Sequence, residues 1–348
     1  MKKWRIIFFG TDDFSAPAFR ELLGIDENGV KLAKSAADFC QVVAVVTKPD
    51  VAKSRGHKIE SPLVAQIAQT FNSQNSERKI AIFQPTKLRE IADQLRELQP
   101  DAGVLVAYGK IVPPEIIDIF AKKYEVRDEN SGEISETSGA GIINFHPSLL
   151  PKLRGPSPIE TAILSGARET GLTLMKLVRE MDAGPILYQE KISLDDRVTS
   201  PELYKKFAQR GALLFRENLS NIFKNDVREI AQNDALATYC HMINKDDGIL
   251  DPAQMTADEC DRRVRAFASW PKARLNFAKI SRDSTDVFAK FPDQNIIIVK
   301  AKPLANFAGD TWPDVVPCAE NTFLQIEKII SPKSGREMTV AEYLRGVK

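Results

Sequence analysis

Asn144 and His146 stand two residues apart in GIINFHPSLLPKLRGPSPI, residues 141–159, and Asp182 follows in the turn sequence MDAGP. A carboxamide beside an imidazole suits attack by an amine on a carbonyl carbon. The amide N–H donates to an oxygen that becomes negative, and an imidazole, which ordinarily titrates near neutrality, moves the proton of the amine. A carboxylate held against the ring would orient it and favour its charged form. None of these roles requires a metal. Each residue also has a plainer reading: His146 as a buried histidine satisfied by a backbone group, and Asp182 as a turn former ahead of Gly184 and Pro185.

The elements that must position these side chains are legible. Residues 141–145 have strand character, and Pro147 forces the chain out of any ladder, so Asn144 and His146 fall at or just past the C-terminal edge of a strand. On a period of two they face the same side. Upstream, residues 5–10, 42–47, 81–83 and 104–107 are short apolar runs separated by helical sequence, the first helix covering 16–23. This alternation predicts an α/β fold with a mostly parallel sheet covered on both faces. Ligands of such sheets bind outside the carboxyl ends of the strands.

Several functions are excluded early. The first strand runs into GTDDF without a GxGxxG run, and no GxxxxGK[ST] occurs, so nucleotide-phosphate chemistry has little support. Cys40, Cys240, Cys260 and Cys318 form no CxxC pair, and with only three histidines a zinc or histidine-rich centre is not expected. The opening MKKWRIIFFGTDDF is too short for a secretory core, and no run of 18 apolar residues occurs. The expectation is a cytoplasmic protein without a membrane span.

At 348 residues the chain is long enough for two domains. A helix is expected over 199–225, with Leu203, Phe207, Leu213, Leu214 and Leu219 as its apolar stripe, then a polar link, then a helix from 258 capped by Thr256 with Glu259 three residues on. Short β-rich pieces at 273–277, 295–299 and 323–330 complete a smaller domain. The expected division is 1–225, a linker over 226–250, and 251–348. From 262 to 348 there are fifteen Lys and Arg against nine Asp and Glu, so this half is the part most able to hold a polyanion, unless the charges merely solvate a face. Residues 50–59, with Lys53, Arg55 and Lys58, read either as a solvated loop or as a phosphate-contacting one. Residues 125–139, EVRDENSGEISETSG, read as an exposed, protruding insertion.

The ordered series RIIFFGTDDFSAPAF, VVTKPDVAKSRGHKI, VLVAYGKIVPPEII, INFHPSLLPKLRGPSPI, GLTLMKLVREMDAGPIL, INKDDG and RAFASWPKARLNF resembles the methionyl-tRNA formyltransferase family. The resemblance implies a Rossmann-like catalytic domain and an OB-like C-terminal barrel that holds tRNA. It implies transfer of formyl from 10-formyltetrahydrofolate, as co-substrate, to the methionine amine of initiator tRNA, by a protein expected to be a monomer. Asn144, His146 and Asp182 match the family's catalytic trio. Ser148, Leu149, Leu150 and Pro151 match its folate-binding element, while Val106, Ala107, Tyr108 and Gly109 match the segment walling the folate pocket. Arg55, with Lys53 and Lys58, matches the loop that reaches for the tRNA acceptor end. Lys110 or Arg154 could hold the anionic folate tail, or Arg154 could fix its own loop by bonding backbone carbonyls. The alternatives within the superfamily are a sugar-nucleotide N-formyltransferase and a 10-formyltetrahydrofolate hydrolase.

Overall fold

The first strand explains why the sheet forms where it does. Ile6, Ile7, Phe8 and Phe9 are all fully buried, on both faces of the strand, as the uninterrupted apolar run requires. Each such side chain contributes about 1.5–3 kcal/mol on burial. The computed structural model describes residues 3–53, 58–121, 123–127, 134–138, 140–280, 291, 294–304 and 314–346.

In chain order the strands of the first half are β1 (Trp4–Gly10), β2 (Cys40–Val46), β3 (Val51–Lys53), β4 (Lys58–Glu60), β5 (Ala81–Phe83), β6 (Ala102–Val106), β7 (Lys123–Arg127), β8 (Ile134–Ser138), β9 (Ile142–His146), β10 (Glu169–Lys176) and β11 (Ile186–Ser193). Seven of them form one sheet in the order β11-β10-β9-β6-β1-β2-β5. The pairs β1–β2, β2–β5, β1–β6 and β6–β9 are parallel, and β9–β10 is antiparallel. From β1 the chain builds outward through β2 to β5, then crosses back to place β6 on the other side. The order therefore reverses between β1 and β6, and a ligand crevice belongs at the carboxyl ends of these strands. There Thr11 Oγ1 donates to the Tyr108 carbonyl across the gap, at 2.9 Å.

Two short pairs lie outside the main sheet. β3 pairs antiparallel with β4, with Lys53 opposite Lys58, and β7 pairs antiparallel with β8. The insertion expected as a protruding loop thus contains a two-stranded ladder.

Among the helices, α1 (Ala16–Leu23) and α2 (Ser200–Phe223) bear on the sheet's packing. Phe207, Leu214 and Leu219 of α2 are buried as its periodicity predicts, but Leu213 is exposed. Adjacent helical residues lie about 100° apart, so Leu213 cannot share the face of Leu214. Arg216 of α2 makes a two-pronged bond to the buried Glu21 of α1, Nε to Oε1 at 2.8 Å and Nη2 to Oε2 at 2.5 Å.

The chain forms two compact units, one of Met1–Arg154, Gly171–Ile192 and Tyr204–Tyr239, the other of Gly155–Thr170, Ser193–Leu203 and Cys240–Lys348. Of the expected linker, residues 226–239 belong to the first, where Ile230 pairs with Ile186 and Tyr239 with Arg154, and residues 240–250 belong to the second. The second unit holds an antiparallel sheet of β12 (Ala273–Leu275), β13 (Ile296–Leu304), β14 (Val315–Pro317) and β15 (Phe323–Ile330), in the order β12-β13-β15-β14, with β16 (Glu337–Met338) also on β15. Its core stacks Phe277 on Phe291 and Phe291 on Tyr343, with ring centroids 4.3 and 4.9 Å apart. A helix over Ala257–Ala266 begins with the expected capping box of Thr256 and Glu259. No helix among the described residues is long and apolar enough to cross a membrane.

Candidate active site

β9 is buried along its whole length and sorts its side chains by strand alternation. Phe145 faces a ring cluster, with Phe14 at 5.6 Å and Phe215 at 6.1 Å between centroids. Asn144 and His146 take the opposite face, 6% and 5% exposed. Among the described residues no group is hydrogen-bonded to the Asn144 carboxamide, which leaves it available to a bound molecule.

His146 is held on two sides. Its Nε2 donates to the Leu153 carbonyl at 2.8 Å, which fixes the ring. Nδ1 then faces Asp182, whose Oδ2 lies 3.7 Å away, both side chains being largely buried. That separation is longer than a hydrogen bond and is the reach of an ion pair or of a single bridging water. The backbone contact expected of a plain buried histidine is therefore present, and the carboxylate on the opposite nitrogen is present as well.

The loop between His146 and Leu153 is closed by its own bonds. Ser148 Oγ donates to the Lys152 carbonyl at 2.6 Å, and Thr173 Oγ1, opposite His146 in the β9–β10 register, donates to the Ser148 carbonyl at 2.6 Å. Gln189 Nε2 donates to the Leu150 carbonyl at 2.6 Å and to Thr173 Oγ1 at 3.1 Å. Ser148 is fully buried, and Leu150 packs with Met175 and Ile186. Leu149 lies against Gly171, and Leu150–Pro151 is a cis peptide. These four residues thus shape the loop, and two of them are enclosed within it.

At the carboxyl end of β6, Tyr108 turns its ring into the core against Phe9, edge to face at 5.9 Å. Its hydroxyl has no partner among the described residues, and burial pushes the phenol up to about 12. Gly109 adopts φ +71°, and a Cβ there would meet Lys48 Nζ at 2.3 Å, so only glycine lets that lysine lie across the turn. Lys110 is tied to the carbonyls of Pro85 and Thr86, at 2.9 and 3.1 Å. Arg154, 3% exposed, bonds the side chains of Gln232, Asp234 and Tyr239. Arg55 lies outside the described residues, as do the side chains of Lys53 and Lys58. Among the described residues no cluster of three His, Cys, Asp or Glu is arranged to hold a metal.

The structure thus brings Asn144, His146 and Asp182 together in one unit. It adds Leu153 and Thr173, which lie inside quoted motifs with no role given to them there, and Gln189 and Gln232, which lie in none. Thr173 could be found only from the strand register, and Gln232 only from a docking that sequence does not reveal.

Residues 5–124 and 131–219 match the formyl transferase family model. The chain belongs to the formyl transferase family. The break in the match, at 125–130, falls inside the β7–β8 insertion. This formyl transferase is 33% identical to the methionyl-tRNA formyltransferase of Desulfotalea psychrophila, over all of the chain and 94% of that protein. It is 31% identical to that of Sulfurihydrogenibium sp., over 99% of the chain and 97% of the relative. Among solved structures, the N-formyltransferase from Helicobacter canadensis, crystallised with folinic acid and dTDP-3-aminofucose, aligns with a TM-score of 0.57 at 20% identity, covering 93% of this chain and 99% of its own. HypX from Aquifex aeolicus in complex with tetrahydrofolic acid aligns with a TM-score of 0.54 at 16% identity, over 88% of this chain and 48% of its own. Likeness at that level carries the fold alone.

Proposed function

We infer that this formyl transferase moves the formyl group of 10-formyltetrahydrofolate onto the α-amine of methionine esterified to initiator tRNA, releasing tetrahydrofolate. One observation carries the substrate reading: likeness to methionyl-tRNA formyltransferases, at 33% and 31% identity, runs from end to end of the chain and includes its second unit. The antiparallel sheet of that unit, which lies in the stretch 262–348 with its fifteen Lys and Arg against nine Asp and Glu, is proposed as an OB-like face for tRNA phosphates. The chain is proposed to act as a cytoplasmic monomer.

The chemistry follows from the trio. The neutral amine attacks the formyl carbon, and charge gathers on the formyl oxygen, where the Asn144 amide donates. An oxyanion donor of this kind is worth about 3 kcal/mol. His146 takes the amine proton at Nδ1, the nitrogen not bonded to Leu153, and Asp182, 3.7 Å from that nitrogen, stabilises the ring while it is charged. Collapse breaks the bond to folate N10, and the same proton passes to N10. Ser148, Leu149, Leu150 and Pro151 are proposed to hold the folate through the shape of their loop. Tyr108 and Gly109 would do so chiefly through backbone, since the Tyr108 ring points into the core.

A sugar nucleotide as acceptor is the second reading, and the fold likeness to the Helicobacter canadensis enzyme motivates it. Arg55→Ala tests the tRNA contact. With tRNA as acceptor, turnover falls about tenfold or more through weaker engagement of the acceptor end while the folate Kd is unchanged. Equal losses in tRNA turnover and folate affinity would remove Arg55 from the tRNA contact.

A further inference from the structure

We propose that Gln232 is a positioning residue that sets the Asp182–His146 spacing, acting through the backbone of the 182–184 turn. The proposal rests on the catalytic reading of the trio given above.

The segment around Gln232 is exposed at Arg228, Glu229, Ile230, Ala231, Asn233 and Asp234, yet Gln232 itself is half-buried. Its carboxamide is fully used. Nε2 donates to the carbonyls of Asp182 and Gly184, at 2.7 Å each. Oε1 accepts from Arg154 Nη2 at 2.8 Å and Nε at 3.1 Å. A primary amide has two N–H donors and one carbonyl, and this site consumes all three groups in one orientation. Asp182 has φ +51°, an unfavourable conformation for a residue with a Cβ, so its turn needs external support of this kind.

The clamp closes a circuit with the histidine. Arg154 follows Leu153, whose carbonyl accepts from His146 Nε2. One short stretch of chain therefore fixes the ring from one side and, through Arg154 and Gln232, fixes the carboxylate's turn from the other. Asp234 anchors Arg154 from solvent, at 2.7 Å, but makes no contact with the turn in that bond. If the carboxamide is what matters, the Nε2 donors should be indispensable and the Asp234 anchor nearly dispensable.

Gln232→Glu keeps an acceptor for Arg154 and removes both donors to the turn. The expected result is a fall in kcat of about 10- to 100-fold with both KM values within about threefold of the parent, the cost of displacing one catalytic group by a fraction of an ångström to an ångström. Asp234→Ala should leave kcat within about threefold of the parent, since Arg154 keeps both of its bonds to Gln232 Oε1 and the turn keeps both Nε2 donors. In an Asp182→Asn background, Gln232→Glu should cost little further rate, because both changes act on one group. A second readout is independent of the acceptor. With three histidines in the chain, the His146 ring resonances can be followed by NMR, and Gln232→Glu should move them in the same direction as Asp182→Asn. Four results would overturn the proposal: unchanged kcat, a loss confined to KM, an undiminished loss in the Asp182→Asn background, or equal losses in the Gln232→Glu and Asp234→Ala proteins. Should the parent itself transfer no formyl group, the functional reading fails, while the NMR comparison still decides the positioning role.

Discussion

Asn144→Ala is expected to lower kcat by about 10²- to 10³-fold, and His146→Ala by about 10²- to 10⁴-fold, with substrate affinities little changed. The first figure is the worth of an oxyanion donor held in a water-poor site, and the buried Asn144 amide, bonded to no described residue, meets that description. The second is the worth of a placed proton carrier. His146 qualifies because one ring nitrogen is anchored on Leu153 and the other faces a carboxylate. Losses in the double variant should fall short of the product of the singles, since both groups serve one transition state. Single-turnover transfer rates on proteins with matching far-ultraviolet spectra provide the measurement. Either variant retaining near-parental turnover would remove that residue from the chemistry.

Gly184→Ala should be the most damaging change that adds only a methyl group. An alanine Cβ at this position would lie 1.8 Å from the Lys176 carbonyl oxygen of β10, a contact between two backbone-fixed atoms that no rotamer relieves. The 182–184 turn must then withdraw from β10 by about 1 Å, and displacement of that size in a catalytic group costs about 10²-fold in rate. Withdrawal also strains the Lys176 N–H to Pro185 carbonyl bond at 3.0 Å and the Gln232 bond to the Gly184 carbonyl. A destabilisation of about 2–3 kcal/mol accompanies the loss of such buried bonds. Urea unfolding and kcat on the same preparation give both numbers. A variant with an unchanged midpoint and kcat within about twofold would show that the turn has slack the distances deny.

Strand period and proline placement were enough to put Asn144 and His146 on one face at a carboxyl edge, because both are local properties of a single short strand. Asp182 was legible as a turn residue, but its approach to His146 depends on how β10 and β11 fold back beside β9, which no spacing encodes. Arg154 illustrates the limit. The sequence leaves open whether it holds an anion or bonds backbone carbonyls, and the structure shows it meeting the side chains of Gln232, Asp234 and Tyr239, brought by a bridge between Arg154 and Tyr239. The same is true of Gly184, which in the sequence is only a member of the MDAGP turn and whose sharper constraint is the close approach of β10. The β7–β8 ladder is hard to read in the sequence because only Tyr124 and Val126 alternate with polar residues in β7, β8 has no such alternation, and the two strands pair with each other and not with the main sheet.

The most direct test is transfer of radiolabelled formyl from 10-formyltetrahydrofolate to purified methionyl initiator tRNA, run beside methionyl elongator tRNA. The account predicts rapid labelling of the initiator and little of the elongator. Folate turnover with no labelled tRNA would contradict it, moving the acceptor to a sugar nucleotide or to water while leaving the fold and the trio in place.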